Sequence, residues 1–333
     1  MLVLEAKLYG KEPQFQALDG AIRTAIFVRN SCLRYWMDNK GTTRNDLYKY
    51  CKVLSDNPEF PWAKKLNSQA RQASAERAWS AIARFFDNCK KQVPGKKGYP
   101  KFKKQQTRAS VEYKVTGWKL SSDRKSICFT DGFGAGQFKL KGTRDLNFYQ
   151  LEQINRVRVV RRSDGYYAQF LVNVKRVIDR EPTKKTVGID VGLAYFYTDS
   201  DGNTVENPRY LRKSEKRLKR AQRRVSKKVK GSKNRRKAIN RLGRKHLKVQ
   251  RQRKDFAVKA TRCVVMSNDF VAMEHLQVRN MVKNRHLAKS ISDAAWGEFR
   301  RWVEYFGQVF GVVTVAVPPQ YTSQECSNCG AMG

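Results

Sequence analysis

From Met1 to Tyr9 apolar and polar residues alternate, placing Leu2, Leu4, Ala6 and Leu8 on one side, the period of a strand with one buried face. Between Glu12 and Met37 the period changes. Phe15, Leu18, Ile22, Ile26 and Leu33 recur at helical spacing, and Gly41 supplies a stop. A second, shorter helix is predicted over Asn45 to Leu54. A third starts near Pro61 and carries Leu66, Ala70, Ala73, Ala78, Ile82 and Phe85 on one stripe to about Gln92. Residues 11–102 therefore read as a helical domain ended by Pro94-Gly95-Lys96-Lys97-Gly98-Tyr99-Pro100. Strand signals follow at Ala109–Val115, Ser126–Thr130, Gly136–Leu140, Val157–Arg161 and Tyr166–Val174, the last two across an Asp164-Gly165 turn. They predict a small antiparallel barrel or sandwich over 103–180, completed by the strand at 1–10.

Glu181-Pro182 closes that segment, and Thr186 to Leu193 reads as a buried strand bracketed by Gly188 and Gly192. Asp190 is out of place in it. A carboxylate inside an apolar strand is costly unless it is paired, hydrogen-bonded or bound to a metal. A turn-capping aspartate or an ion pair with one of the many basic residues accounts for it as well as a metal does. Ala194–Thr198, the turn Ser200-Asp201-Gly202-Asn203 and Thr204-Val205 complete a hairpin. From Arg209 to Lys254 nearly every other residue is basic and Glu215 is the only acid, while Leu218, Ala221, Val225, Val229, Ile239, Leu242, Leu247 and Val249 form a sparse stripe. This predicts a basic helical hairpin broken near Gly231-Ser232. A strand at Phe270–Met273 ending on Glu274, an N-cap region at Ser290–Asp293, a helix burying Ala295, Phe299, Trp302, Phe306 and Phe310, and a strand at Val312–Val317 follow.

Charge narrows the partner. Lys and Arg total 69 against 29 acids, a formal +40, so a large polyanion is expected, and nucleic acid is the obvious one. No apolar run is long enough to span a membrane and no signal peptide opens the chain, so the expected setting is cytoplasmic, beside the nucleoid of a prokaryote. Five of seven cysteines are scattered singly and suit a reducing compartment. Cys326-x-x-Cys329 alone has ligand spacing. The residues expected to meet phosphate are Lys101, Lys103 and Lys104 in the basic loop and Arg220, Arg223, Arg224, Lys227, Arg235 and Arg236 in the hairpin. On the third helix Lys65 adds charge, and Ser68, Gln69 and Gln72 share a face that can reach base edges; a plain solvated face is the simpler reading there.

Gly188-Ile189-Asp190-Val191-Gly192, Met273-Glu274-His275-Leu276, Asn280-Met281, Asp293-Ala294-Ala295-Trp296 and Thr322-Ser323-Gln324-Glu325-Cys326-Ser327-Asn328-Cys329-Gly330, in that order, resemble the TnpB proteins of bacterial insertion sequences. These are similar to compact type V CRISPR effectors. The resemblance is tight over about 184–333 and looser before it. It implies a multidomain α+β protein: a wedge-like β-barrel that grips a guide RNA, a helical recognition domain, and an RNase H-like (RuvC-type) α/β nuclease core over 183–317 with the basic hairpin 209–254 inserted. The start of a zinc ribbon follows at 318–333. It implies RNA-guided cleavage of double-stranded target DNA beside a short flanking motif, with base pairing choosing the sequence. Asp190 and Glu274 match the family's first two catalytic metal ligands, and hard carboxylate oxygens favour Mg²⁺. His275, pointing to the opposite face, is expected to be structural. Two departures stand out: the family's third carboxylate lies beyond the ribbon and is missing here, and Cys326 and Cys329 supply half of a four-ligand Zn²⁺ site. The expectation is a chain cut short within the ribbon that binds its nucleic acids but cuts poorly. A CRISPR effector and a guide-dependent DNA-binding protein without cleavage, such as a repressor, are the alternatives.

Overall fold

A computed structural model describes residues 1–104, 109–142 and 144–319 in two compact units, Met1–Lys175 and a second that begins at Arg176. In the first unit the strand β1 (Leu2–Tyr9) is followed by α1 (Glu12–Asp38), α2 (Arg44–Asp56), α3 (Pro61–Lys65) and α4 (Ser68–Lys90). Six strands come next: β2 (Ser110–Lys114), β3 (Trp118–Leu120), β4 (Ser126–Phe129), β5 (Gln137–Lys141), β6 (Ile154–Arg162) and β7 (Gly165–Val172). The sheet order is β2-β6-β7-β1-β5-β4-β3, antiparallel throughout, so the N-terminal strand lies in the middle rather than at an edge. Its two edge strands are joined by the short turn Val115–Gly117, and Tyr113 of β2 stacks on Phe129 of β4 at 4.7 Å. The sheet is therefore curled, bringing its edges together around a core that includes Tyr113, Phe138 and Phe170.

The hairpin of β6 and β7 turns at Ser163-Asp164, with Arg162 opposite Gly165. The glycine expected in the turn instead opens the returning strand at φ +134°, which a side chain would strain. The helix α1 serves two cores. Leu18, Ala21, Ile22 and Ala25 pack on the curled sheet, while Val28, Cys32 and Leu33 join α2 and α4 around Leu47, Leu54, Ala78 and Ile82. The single third helix expected from Pro61 is two. Gly132 donates its amide to the Lys65 carbonyl at 2.7 Å, and Asn67 caps a new helix through the Gln69 amide while reaching Thr130 with its own amide group. Tertiary bonds override a continuous apolar stripe.

In the second unit β8 (Thr186–Asp190), β9 (Tyr195–Asp199) and β10 (Thr204–Glu206) form antiparallel neighbours. Then come α5 (Tyr210–Ser226), α6 (Lys233–Ser267), β11 (Phe270–Glu274), α7 (Val278–Met281), α8 (Ala288–Ala294), α9 (Trp296–Phe310) and β12 (Val313–Val317). The sheet order is β10-β9-β8-β11-β12, with β8, β11 and β12 parallel. Val187, Ile189, Val271 and Met273 point to one face, where Val264, Val265, Phe299, Val303 and Phe306 complete the core. Trp302, expected in that core, is only half-buried and carries the Lys254 ammonium 5.3 Å from its ring. Val229, expected on the hairpin's stripe, is 77% exposed in the turn. No helix among the described residues is long and apolar enough to cross a membrane.

Candidate active site and basic surfaces

The register of β8 with β11 sets Ile189 beside Met273, so the next residues, Asp190 and Glu274, end adjacent parallel strands side by side. Neighbouring strands lie about 4.8 Å apart, and alternation sends both carboxylates to the face opposite the buried Ile189 and Met273. Behind them on that face are Gly188 and Ala272, too small to fill it. On the far side of β8, Thr198 is the register partner of Asp190. Beside β11, Val313 and Val315 of β12 are 56% and 38% exposed. The pair thus stands at the carboxyl ends of parallel strands, where open α/β sheets bind ligands. The expectation of a buried Asp190 is corrected: the residue is exposed, because it ends the strand instead of lying inside it. His275, one residue beyond the strand, is exposed and donates its amide to the Val317 carbonyl at 2.7 Å.

Two other acids are engaged elsewhere. Asp269 sits at the opposite end of β11, where the backbone amides of Thr183 and Lys184 and the Arg180 guanidinium at 2.5 Å hold its carboxyl down to about 2. Asp293 is buried and accepts the amides of Leu211 and Arg212, so the aspartate expected to cap its own helix caps the start of α5. Among the described residues no three His, Cys, Asp or Glu side chains come together. Asp190 and Glu274 nevertheless fit a hard divalent cation: Mg²⁺ is commonly held by one or two carboxylates, with water and substrate oxygens completing its shell. Cys326 and Cys329 lie outside the described residues.

The basic residues fall into two groups. Arg220, Arg223, Arg224, Lys227 and Arg236 are exposed along α5 and the start of α6, free of the apolar seam of Leu218, Ala221 and Val225. Arg235 instead donates to the carbonyls of Val225 and Lys228 at 3.0 and 2.8 Å and closes the end of α5. On α4, Ser68 is exposed and Gln72 half-buried, while the side-chain Oε1 of Gln69 accepts the Thr116 amide at 3.3 Å, which ties it to the turn between the edge strands. Lys65, Lys101, Lys103 and Lys104 are exposed. The backbone of Lys103 is pinned to Asn30 by two bonds of 2.9 Å, and the Lys101 carbonyl accepts from Arg29. Arg29 and Arg77 were not anticipated. The one signal for them is that both fall on apolar stripes, Arg29 between Ile26 and Leu33 and Arg77 between Ala73 and Ile82.

Residues 169–285 match the OrfB_IS605 family, probable transposase, and residues 296–332 match the Cas12f1-like TNB domain. A putative RNA-guided DNA endonuclease of Streptomyces pristinaespiralis is 31% identical over 276 residues, 82% of this chain and 65% of the relative. The putative RNA-guided DNA endonuclease InsQ of Escherichia coli (strain K12) is 30% identical over 342 residues, 96% of this chain and 80% of the relative. This chain belongs to the TnpB family. It spans just under two thirds of the length of the Streptomyces protein. Among solved structures, that of a Cas12f1–sgRNA–target DNA complex aligns over 96% of this TnpB chain and 75% of its own, with a TM-score of 0.50 and 15% identity, a likeness of fold.

Proposed function

We propose that this TnpB chain is an RNA-guided DNA endonuclease, with Asp190 and Glu274 as the catalytic carboxylates of an RNase H-like (RuvC-type) core. The observation that carries the reading is the register that seats these two acids together at the carboxyl ends of β8 and β11. The family relatives, named as RNA-guided DNA endonucleases, agree with it. The +40 charge and the exposed hairpin arginines suit a guide RNA and a target duplex as partners. In the proposed organisation 1–10 with 103–180 grips the guide, 11–102 reads the target's flank and 183–317 cuts, while Cys326 and Cys329 supply two of the four ligands of a Zn²⁺ ribbon that starts within 318–333.

Asp190 and Glu274 would hold Mg²⁺, which when bound supplies Lewis-acid activation of the scissile phosphodiester. The chain's own part is placement. Parallel pairing fixes the separation of the two carboxylates, and the small side chains of Gly188 and Ala272 leave a polymer's backbone room to approach. The exposed arginines of α5 and α6 neutralise neighbouring phosphates.

The test is cleavage of guide-matched DNA with Mg²⁺ and with EDTA. Asp190→Ala and Glu274→Ala should each abolish cutting and leave guide-dependent binding nearly intact. Cutting that survives both substitutions would overturn the assignment. A second reading, guide-dependent binding without cleavage, is favoured by the absence of a third acid beside the pair among the described residues. It predicts binding without Mg²⁺-dependent product from the 333-residue chain.

A further inference from the structure

The first unit carries a half-open cleft of about 380 Å³, at the small end of the ligand-pocket range of about 300–1,000 Å³. Arg29, Arg77, Phe102, Lys103 and Ser110 line it. Arg29 is only 6% exposed. Its Nη1 donates to neutral oxygens, Asn30 Oδ1 at 3.1 Å and the Lys101 carbonyl at 3.2 Å, and its Nε is buried with no partner. Arg77 donates to the carbonyl and hydroxyl of Ser110 at 3.1 and 3.0 Å. Among the described residues no carboxylate pairs with either guanidinium. Glu112 attracts Arg77 at longer range, but its oxygens accept from Arg156 and Arg158 at 2.6 to 2.9 Å. Lys103 is exposed as a residue, yet desolvation of its ammonium by the surrounding protein, with repulsion from Arg77, Arg29 and Arg158, pushes it down to about 8.

Such a cleft has more positive charge than its own acids offset, and an unpaired buried guanidinium is costly until an anion meets it. We infer that this cleft receives a phosphate group of a bound nucleic acid, held by Arg29, Arg77 and Lys103, with the ring of Phe102 against an adjoining base. Guanidinium groups suit phosphate because their N–H donors form charge-assisted, often bidentate bonds to its oxygens. Phe102 is 48% exposed at the rim, and an exposed ring beside a basic groove is how single strands are stacked. That ring favours a nucleic acid over free phosphate. The inference rests on the nucleic-acid reading above and adds a seat for one phosphate, away from the acidic pair.

Lys103 allows a clean test, since among the described residues its side chain donates no hydrogen bond, so its removal should spare the fold. Binding of the full chain to a fluorescein-labelled single-stranded RNA, and to a labelled DNA duplex of the same sequence, is measured across salt concentrations. Lys103→Ala should weaken one probe by about fivefold or more and lower its slope of log affinity against log salt by about one, the release of one phosphate contact. Lys103→Glu should weaken it further, and Lys103→Arg should restore it. The probe that loses affinity identifies the source, RNA or DNA. Phe102→Ala should weaken a single-stranded ligand with the salt slope unchanged. Wild-type affinity and slope in Lys103→Ala and Lys103→Glu on both probes would overturn the phosphate seat alone. Failure of the wild-type chain to bind either probe would overturn the nucleic-acid reading with it.

Discussion

The Asp293 carboxylate accepts the Leu211 amide through both oxygens, at 2.9 and 3.1 Å, and so joins the break before α9 to the first turn of the basic hairpin. Helix N-termini favour acids there because their first amides are unpaired and the macrodipole is positive. Asp293→Ala should therefore leave buried donors unsatisfied and cost about 1–2 kcal/mol, the usual loss of a cap. Asp293→Asn should lose less. Faster hydrogen exchange at the Leu211 and Arg212 amides, with the core strands unchanged, is the expected sign.

Asp269 separates structural acids from the proposed catalytic pair. Backbone bonds from Thr183 and Lys184, together with Arg180, depress its carboxyl to about 2, so its stabilisation is present above the unfolded value near 4. That contribution is lost as pH falls through about 2. Asp269→Asn should lower the melting temperature at pH 7 and keep whatever cutting the folded wild-type protein shows. The difference from wild type should shrink in melts run below about pH 4. Loss of cleavage in a folded Asp269→Asn protein would move this acid into the chemistry.

Glu76 makes a parallel prediction for the first unit. Burial raises its carboxyl, but hydrogen bonds from Lys114 at 2.6 Å, Tyr48 at 2.7 Å and Arg156 at 2.8 Å outweigh that and hold it at about 2. Stability from this network is in place above the unfolded pKa of about 4.3 and fades as acid approaches the folded value. Glu76→Gln should melt earlier than wild type at neutral pH, with the two curves converging near pH 3 or below. A constant gap across that range would show that the charge is not what stabilises the network.

Packing of α9 on β12 leaves no room at Gly307. A Cβ there would lie 2.6 Å from Thr314 Cγ2 and 3.0 Å from the Val312 carbonyl oxygen, so Gly307→Ala should destabilise by about 1–3 kcal/mol. Adding Thr314→Ser, which removes the methyl, should recover part of the loss. Denaturant melts of the single and double variants test the pair.

Within the hairpin, neighbouring arginines should behave differently. Neutralising the exposed Arg223 and Arg224 should lower the salt slope of nucleic-acid binding by about 0.9 per duplex phosphate released, with the fold intact. Arg235→Gln should instead lower helicity, because this side chain binds the carbonyls of Val225, in the last turn of α5, and of Lys228 just past it. Circular dichroism and salt titration of the same proteins tell the two apart.

The strongly periodic elements were legible in the sequence. Alternation placed β1, helical spacing placed α1, and Val187 and Ile189 placed β8, which ends at Asp190, short of the Leu193 expected. What stayed hidden depends on partners distant in the chain. The stripe through Leu66, Ala70 and Ala73 keeps helical phase across Asn67, and nothing local shows that Gly132 and Thr130 split it. Asp293 has the look of a cap, but its recipient lies about eighty positions earlier. Asp190 was legible as the anomalous acid, and the resemblance named Glu274 beside it as a ligand, but no local pattern gives the register that seats the two on adjacent strands. Arg29 and Arg77 could be suspected only because a charge sits on an apolar stripe.

The α5–α6 hairpin lies in the chain between the two strands that carry the carboxylates, and Gly231 occupies its exposed tip at φ +84°. A single backbone cut at that tip would divide Asp190 and Glu274 between two polypeptides, each with one of the paired strands and one arm of the hairpin. Neither fragment would own the acidic pair. Joining the fragments to separate binding partners would make the proposed cleavage conditional on their meeting, with the apolar seam of α5 and α6 as the surface that rejoins them.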